Sequence, residues 1–396
     1  MKPFLVRLVD FISSLKLTII CLSAALLLVF AGTLAQVRYG IDIVQERYFQ
    51  SVFIWWPPVE TGGFRIPVFP GGHLIGGVLL VNLIAAHVRR FRWTWKKAGI
   101  QLTHAGLIIM LAGGLLTDMF SVESFMRIQE GETKRYSEDF LERELAIIDT
   151  SDPEVDRVVA IPGDRLVPGR LISHESLPFR IVVKDYLVNS QLRMIDAGDT
   201  RSEPASDRGS GARILLSEQP RATGIKDRDT RSAVIQFIPG PDMAAGEGGL
   251  PGTWLVSDAL AQPQTVEAGG KIWTIALRAR RHYKPFSLTL HEFTHERYPG
   301  TQIPKDFSSE VTLDDHDTGE SREALIYMNH PLRYGGETFY QAGFEQTGDV
   351  TILQVVRNPS FAAPYVGCIV VGAGLLLQFG IHLVGFARRR TRAATS

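Results

Sequence analysis

The chain has 396 residues, 45% hydrophobic and 21% charged, with 42 basic and 42 acidic side chains and hence no formal net charge. This composition excludes a disordered or collagen-like chain; it is too apolar for an ordinary soluble enzyme and too polar for a transporter embedded in lipid throughout. Two cysteines exclude a disulfide scaffold and a cysteine-rich zinc or iron–sulfur site.

Four apolar stretches follow one another along the chain: Leu17–Ala35, Gly71–Val88, Ala98–Thr117 and Phe361–Ala387. Each is near the ~20 residues that cross a ~30 Å hydrocarbon core, and their Gly and Ala content suits close helix packing in lipid. The first is longer than the apolar core of a cleaved signal peptide and has only a weak cleavage pattern near Thr33 and Ala35, so it is expected to stay as a membrane helix. The segments before the first span, between the second and third, and after the fourth hold twelve basic residues, Arg89, Arg90, Arg92, Lys96 and Lys97 among them, against Asp10 alone. The positive-inside rule places these segments, and both termini, in the cytoplasm. The segment from Asp118 to Ser360 is then external and carries a net charge of about −11.

The sequence therefore predicts a membrane α-helical bundle of four transmembrane helices plus a large external, mostly-β, sandwich-like domain between helices 3 and 4. Residues 1–118 hold three helices (17–35, 71–88, 98–117) and a short external loop, 36–70. Residues 119–360 form the β-rich domain, 361–387 the fourth helix and 388–396 a basic cytoplasmic tail. Within the domain, Phe179–Val188, Ala233–Ile238, Ile272–Ala279, Glu310–Leu313, Ala324–Met328, Thr338–Ala342 and Val350–Val356 read as strands, being β-branched and aromatic runs between turn signals. Asp196–Gly211 and Pro239–Pro251 read as loops. Cys21 and Cys368 both lie in spans, so the domain has no thiol chemistry of its own. In the first loop, Phe49–Pro58 reads as an interfacial helix with Trp55 and Trp56 in the aromatic belt; stacking of the pair on a flat ligand is the competing reading.

Four of the ten histidines fall in or at the spans. An ionisable side chain in lipid is costly and is by default a functional hypothesis. His104 lies ~9 Å and His382 ~7.5 Å from the cytoplasmic ends of their helices at ~1.5 Å per residue, so the two can share a level. Neutral imidazole ligates metal or haem iron. Small neighbours of His104, Ala105, Gly106, Gly113 and Gly114, leave room for a flat group or for another helix. His87 and His73 read as interfacial residues. His291 and His295 spell HExxH, the zinc-protease pattern, but that motif needs a helix, and LTLHEFTHERYPG reads as strand and turn.

With these features in place the chain resembles the ResB/CcsB family of System II cytochrome c biogenesis over nearly its whole length. The similarity is weakest across Thr150–Gly270. The passages that carry it are Phe11–Thr18 (FISSLKLT), Thr103–Thr117 (THAGLIIMLAGGLLT), Tyr298–Asp306 with Ser308–Val311, and above all Asn329–Gly343 (NHPLRYGGETFYQAG). The last resembles the family's N-x-PLRYKG-x-TFYQ, with Gly335 where the pattern has Lys. The resemblance implies a subunit of a cytochrome c synthase complex in the bacterial cytoplasmic (inner) membrane. Its implied partners are a CcsA/ResC-type membrane protein, apocytochrome c and the lipid bilayer, with thiol-reducing proteins nearby and no nucleic acid. Haem b would be a transported substrate, with His104 as one axial ligand of its iron and His382 a candidate for the second. The basic loop Arg89–Lys97 would attract propionates, or would serve topology alone. No catalytic residue is expected. The alternative is a membrane-anchored scaffold or apocytochrome chaperone without a haem site.

Overall fold

The computed structural model describes residues 2–57, 64–91, 94–152, 155–196, 203–222, 228–240, 252–297, 299–300, 304–345 and 349–395. Arg92, Tyr298, most of Pro239–Pro251 and part of Asp196–Gly211 lie outside the described residues. The chain divides into two compact units, Met1–Val122 with Arg357–Ser396, and Glu123–Val356.

The first unit is helical: α1 (Lys2–Ile12), α2 (Leu15–Tyr39), α3 (Ile41–Val44), α4 (Gly72–Arg90), α5 (Ala98–Phe120) and α6 (Ala363–Thr395). Among the described residues, four of its helices are long and apolar enough to cross a membrane. The Ser14 side chain caps α2 by accepting from the Leu17 N–H at 3.2 Å, and Gly40 ends the helix at φ 82°. A single buried amide organises the corner between α1 and α2. Asn82 of α4 donates to the carbonyls of Ile12 (2.5 Å) and Ser14 (3.1 Å) and accepts from the Thr18 hydroxyl (2.6 Å). Such full pairing is what a buried polar group requires.

Helices α5 and α6 lie antiparallel in close contact, and three glycines seven residues apart make this possible. A Cβ on Gly106 would stand 2.7 Å from the Val371 side chain and 2.8 Å from the Gly367 carbonyl; one on Gly99 would meet Gln378, and one on Gly113 would meet Ala363. The glycines beside His104 thus serve helix packing.

Two short strands, β1 (Phe53–Trp56) and β2 (Ile66–Pro70), pair antiparallel in the first unit. They replace the interfacial helix expected over Phe49–Pro58. The run of aromatic and β-branched residues there favours extended backbone, and a partner strand takes up its hydrogen bonds. Trp55 and Trp56 remain exposed.

The second unit is built of strands β3 (Val122–Gln129), β4 (Thr133–Asp149), β5 (Arg157–Pro162), β6 (Leu171–Ile172), β7 (Phe179–Leu187), β8 (Ser190–Met194), β9 (Ile214–Glu218), β10 (Ser232–Pro239), β11 (Gly252–Ser257) and β12 (Gln264–Ala268). It continues with β13 (Lys271–Arg297), β14 (Pro304–Asp315), β15 (Glu320–Tyr327), β16 (Leu332–Tyr334), β17 (Glu337–Phe344) and β18 (Val350–Arg357). All seven expected strands are present within these elements. The mostly-β, sandwich-like expectation holds, with two cores instead of one. In the first core the sheet β11-β10-β7-β6 packs through Phe179, Ile181, Ile235 and Phe237 onto Leu145, Ile147, Ile275 and Leu277 of β4 and β13. The second core lies within the row β15-β14-β13-β4-β3-β18-β17-β16, around Leu288, Leu290, Val311, Phe339 and Leu353. Strand β13 supplies residues to both cores, while β4, paired with it, supplies residues to the first.

At the end of β4, Asp149 meets the Lys271 ammonium at 2.6 Å, which, with donors from Ser151, holds its carboxyl down at about 2. A carboxyl depressed below its unfolded value of ~3.9 contributes stability that is complete above that value and lost as pH falls toward about 2. Replacing Lys271 with Met is expected to raise the pH at which acid unfolding begins, followed through the emission of nearby Trp273. An unshifted acid limb would show that the pair does not contribute.

Candidate functional site

His104 sits on α5 with its Nδ1 2.8 Å from the carbonyl oxygen of Ile100, one turn earlier. A carbonyl only accepts, so Nδ1 carries the proton and Nε2 keeps its lone pair. This is the tautomer that a metal-ligating imidazole needs, and a backbone carbonyl behind the ring is the usual way of fixing it.

The structure brings His104 together with His87, not with His382. The rings of His87 and His104 have centroids 6.2 Å apart at an interplanar angle of 43°. Phe91 packs edge-on against His87 at 5.7 Å. The Nδ1 of His87 is enclosed and has no hydrogen-bond partner among the described residues. His382 lies one turn beyond Gln378, whose backbone and Cβ face Gly99 and whose amide bonds the His382 ring at 2.9 Å. The antiparallel contacts of α5 and α6 place His104 level with Val371, eleven residues before His382, an offset of ~16 Å along the helix. The shared level expected from the sequence is therefore not met, because each depth was measured from the end of an apolar run and α6 extends well past that end.

His87 is the residue that the sequence reading did not connect with His104. The signal was available. His87 and His104 flank the turn between α4 and α5, and antiparallel neighbours joined by a short connection pair residues at similar distances from it.

Arg89 and Arg90 lie at the same end of α4. Arg89 pairs with Asp10 and with the Ser13 hydroxyl, and Arg90 reaches the Ser13 carbonyl. These two cations thus fasten the end of α1. At the opposite end of α4, His73 pairs with Asp118, whose other oxygen accepts from Gln50 at 2.8 Å.

His291 and His295 lie on β13. Four residues of strand span ~13 Å, so the two rings cannot share a zinc ion. His291 bonds the Thr312 hydroxyl at 2.6 Å and His295 stacks on Phe344. Among the described residues no group of three or more metal-ligating side chains converges.

The Asn329–Gly343 passage forms β16, a two-residue turn and β17. Gly335 and Gly336 have φ of 58° and 77°, the left-handed pair that a tight hairpin demands. Leu332 and Phe339 enter the second core. The Tyr334 hydroxyl donates to Asp315 at 2.7 Å, and the Gln341 side chain bonds both Ser309 (2.7 Å) and Thr351 (2.8 Å). Packing accounts for these residues.

Fold and site together define a protein with four apolar helices, a large β domain between the third and fourth, and a pair of imidazoles on neighbouring helices. Residues 261–353 match the ResB-like family model, so the resemblance to ResB/CcsB is shown in that segment, which contains Asn329–Gly343. Over 92 residues, 23% of this chain, the sequence is 37% identical to Protein NrfI of Wolinella succinogenes, covering 10% of that protein. Over 78 residues, 20% of this chain, it is 38% identical to the cytochrome c biogenesis protein CcsB of Synechococcus sp. strain CC9311, covering 17% of it. The aligned stretch spans less than a fifth of either relative. The passages at Phe11–Thr18 and Thr103–Thr117 lie outside the matched residues.

Proposed function

We propose that this chain is a subunit of a cytochrome c biogenesis complex of the bacterial cytoplasmic membrane. In this reading it receives haem within its helices and presents it, with a CcsA/ResC-type partner, for attachment to apocytochrome c. The ResB-like segment and the likeness to a CcsB protein support the process. His104 is the observation that carries the haem site. Its ring sits in an apolar helix with the proton held on Nδ1 by Ile100, so that Nε2 is offered to an iron. The residues fit the cargo: haem is apolar in its ring and is held through axial imidazole. The twelve basic residues on one side of the spans support a topology with the termini in the cytoplasm and the β domain outside. The chain would bind and orient haem, whereas thioether formation draws on thiols of the apocytochrome.

The test is absorption spectroscopy of the purified protein with and without its membrane partner, comparing wild type with His104→Ala. The expected result is a Soret band that depends on His104 and returns on adding imidazole. Haem-free preparations throughout, with His104→Ala still supporting cytochrome c maturation, would leave a scaffold or apocytochrome chaperone as the function.

A further inference from the structure

We propose that the β1–β2 hairpin is a lipid-binding element: its outward aromatic face lies in the headgroup layer, and the arginines beside it take the phosphate of an anionic phospholipid. The inference rests on the membrane spans and stands apart from the haem reading. Position comes first. The nineteen residues of α4 rise ~28 Å, close to the ~30 Å of a hydrocarbon core, so the N-terminal end of α4 lies at a membrane surface. The hairpin is fastened to that end without slack. The Gly71 N–H donates to the Val52 carbonyl at 2.9 Å, and the His73 N–H to the Ser51 carbonyl at 3.2 Å. A Cβ on Gly71 or Gly72 would collide with the backbone of Ser51 or Phe49. The inward residues of the hairpin, Ile54 and Phe69, pack on Cys21 and Leu28 of α2 and Ile75 of α4.

The rest of the hairpin is apolar and exposed. Phe53 and Trp55 stand edge-to-face at 6.4 Å, both exposed, and Trp56, Ile66 and Val68 are exposed beside them. A two-stranded hairpin is marginal in water, and tryptophan is a side chain that settles at headgroup level. Against this face lies a cavity of about 250 Å³, lined by Arg47, Tyr48, Trp55 and Arg65, with Glu46 as an anion against the two cations. That volume is below the ~300–1,000 Å³ of a drug-sized ligand's pocket; it suits a headgroup whose acyl chains stay in the bilayer. Guanidinium clasps phosphate through paired hydrogen bonds, and basic side chains at a membrane surface draw anionic lipid. An apolar face adjoining a cationic pocket at the end of a span matches both halves of one phospholipid.

The experiment uses the full chain in bilayers of phosphatidylcholine, with or without phosphatidylglycerol. Tryptophan emission is read with lipids brominated near the headgroup or deep in the acyl chain. Lipid retained by the protein in mild detergent is counted by mass spectrometry. Trp55→Phe with Trp56→Phe is expected to remove a component quenched by the shallow bromines and spared by the deep ones. Arg47→Gln and Arg65→Gln are each expected to lower retained phosphatidylglycerol about fivefold, the worth of one basic residue at an anionic surface. Arg47→Lys with Arg65→Lys is expected to keep most of it, which a purely structural role for the two guanidinium groups would not allow. Identical shallow quenching in wild type and the tryptophan double variant overturns the placement of the hairpin in the headgroup layer. Equal retention of phosphatidylglycerol by wild type and both Gln variants overturns the phosphate site. Disappearance of the shallow-quenched component when the membrane partner is added makes the face a protein interface and overturns the lipid assignment.

Discussion

Gly106→Leu is expected to separate α5 from α6 and to lower the unfolding midpoint of the purified protein. The position has no room even for a methyl group. A Cβ there would lie 2.7 Å from the Val371 side chain, 2.8 Å from its backbone nitrogen and 2.8 Å from the Gly367 carbonyl oxygen. Two of these three neighbours are backbone, so no rotamer change relieves the contact. Inserting bulk into a packed interface costs about 1–3 kcal/mol and sometimes more. Helix association in lipid relies on close packing, without the hydrophobic drive available in water. Gly114, one residue from the Gly113 contact, has nothing within 4 Å of its would-be Cβ, so Gly114→Leu is the matched control. Thermal unfolding in detergent, read for both variants, decides the matter: equal midpoints would mean that the glycine row does not hold the pair together.

The second large effect is expected at Lys284. This lysine is almost fully buried, and its ammonium lies 2.9 Å and 2.7 Å from the two carboxylate oxygens of Glu337. It sits where β13 loses its register with β4, between Tyr283 and Leu288. Pro285 falls in the same gap, where its missing N–H costs no ladder bond. Removing one partner of a buried pair leaves the other charge uncompensated, which costs about 3–5 kcal/mol, whereas replacing both with apolar residues of similar volume is often neutral or stabilising. Lys284→Ala and Glu337→Ala should therefore each lower stability sharply in denaturant unfolding. The double change Lys284→Met with Glu337→Leu should recover most of the loss. A double variant as unstable as the sum of the singles would show that the two side chains act separately.

The parts of this architecture that the sequence announces are those with a single dominant physical cause. Uncharged runs such as Leu17–Ala35 can only be accommodated in lipid, and Ala233–Ile238 or Val350–Val356 carry the β-branched pattern of buried strands. Strand β4 was not legible because its middle reads SEDFLERE. Its charges become intelligible only against β13, where Glu144 meets Arg278, Glu142 meets Arg280 and Glu138 meets Arg281. Helix α1 was hidden likewise: eleven residues with Lys2, Arg7 and Asp10 look like a basic flank until Asn82, Arg89 and Arg90 are seen to fasten its end. For the candidate site, residue type was legible and partnership was not. His104 could be picked out as an imidazole in an apolar run, but which ring faces it depends on how α4 and α5 pair.

Strand β13 bears on how this protein can be dissected. Its first half lines one core and its second half the other, and β4 accompanies it, pairing from Trp273↔Asp149 to Thr289↔Thr133. The ResB-like match contains β13 but starts at residue 261, well after β4. The portion shared with relatives is therefore not an excisable module. Expressed by itself it would present a bare strand edge more than fifteen residues long, the kind of surface that recruits other chains into aggregates. Homology and autonomy part company here: the segment that kinship picks out depends for its integrity on a strand that kinship does not reach.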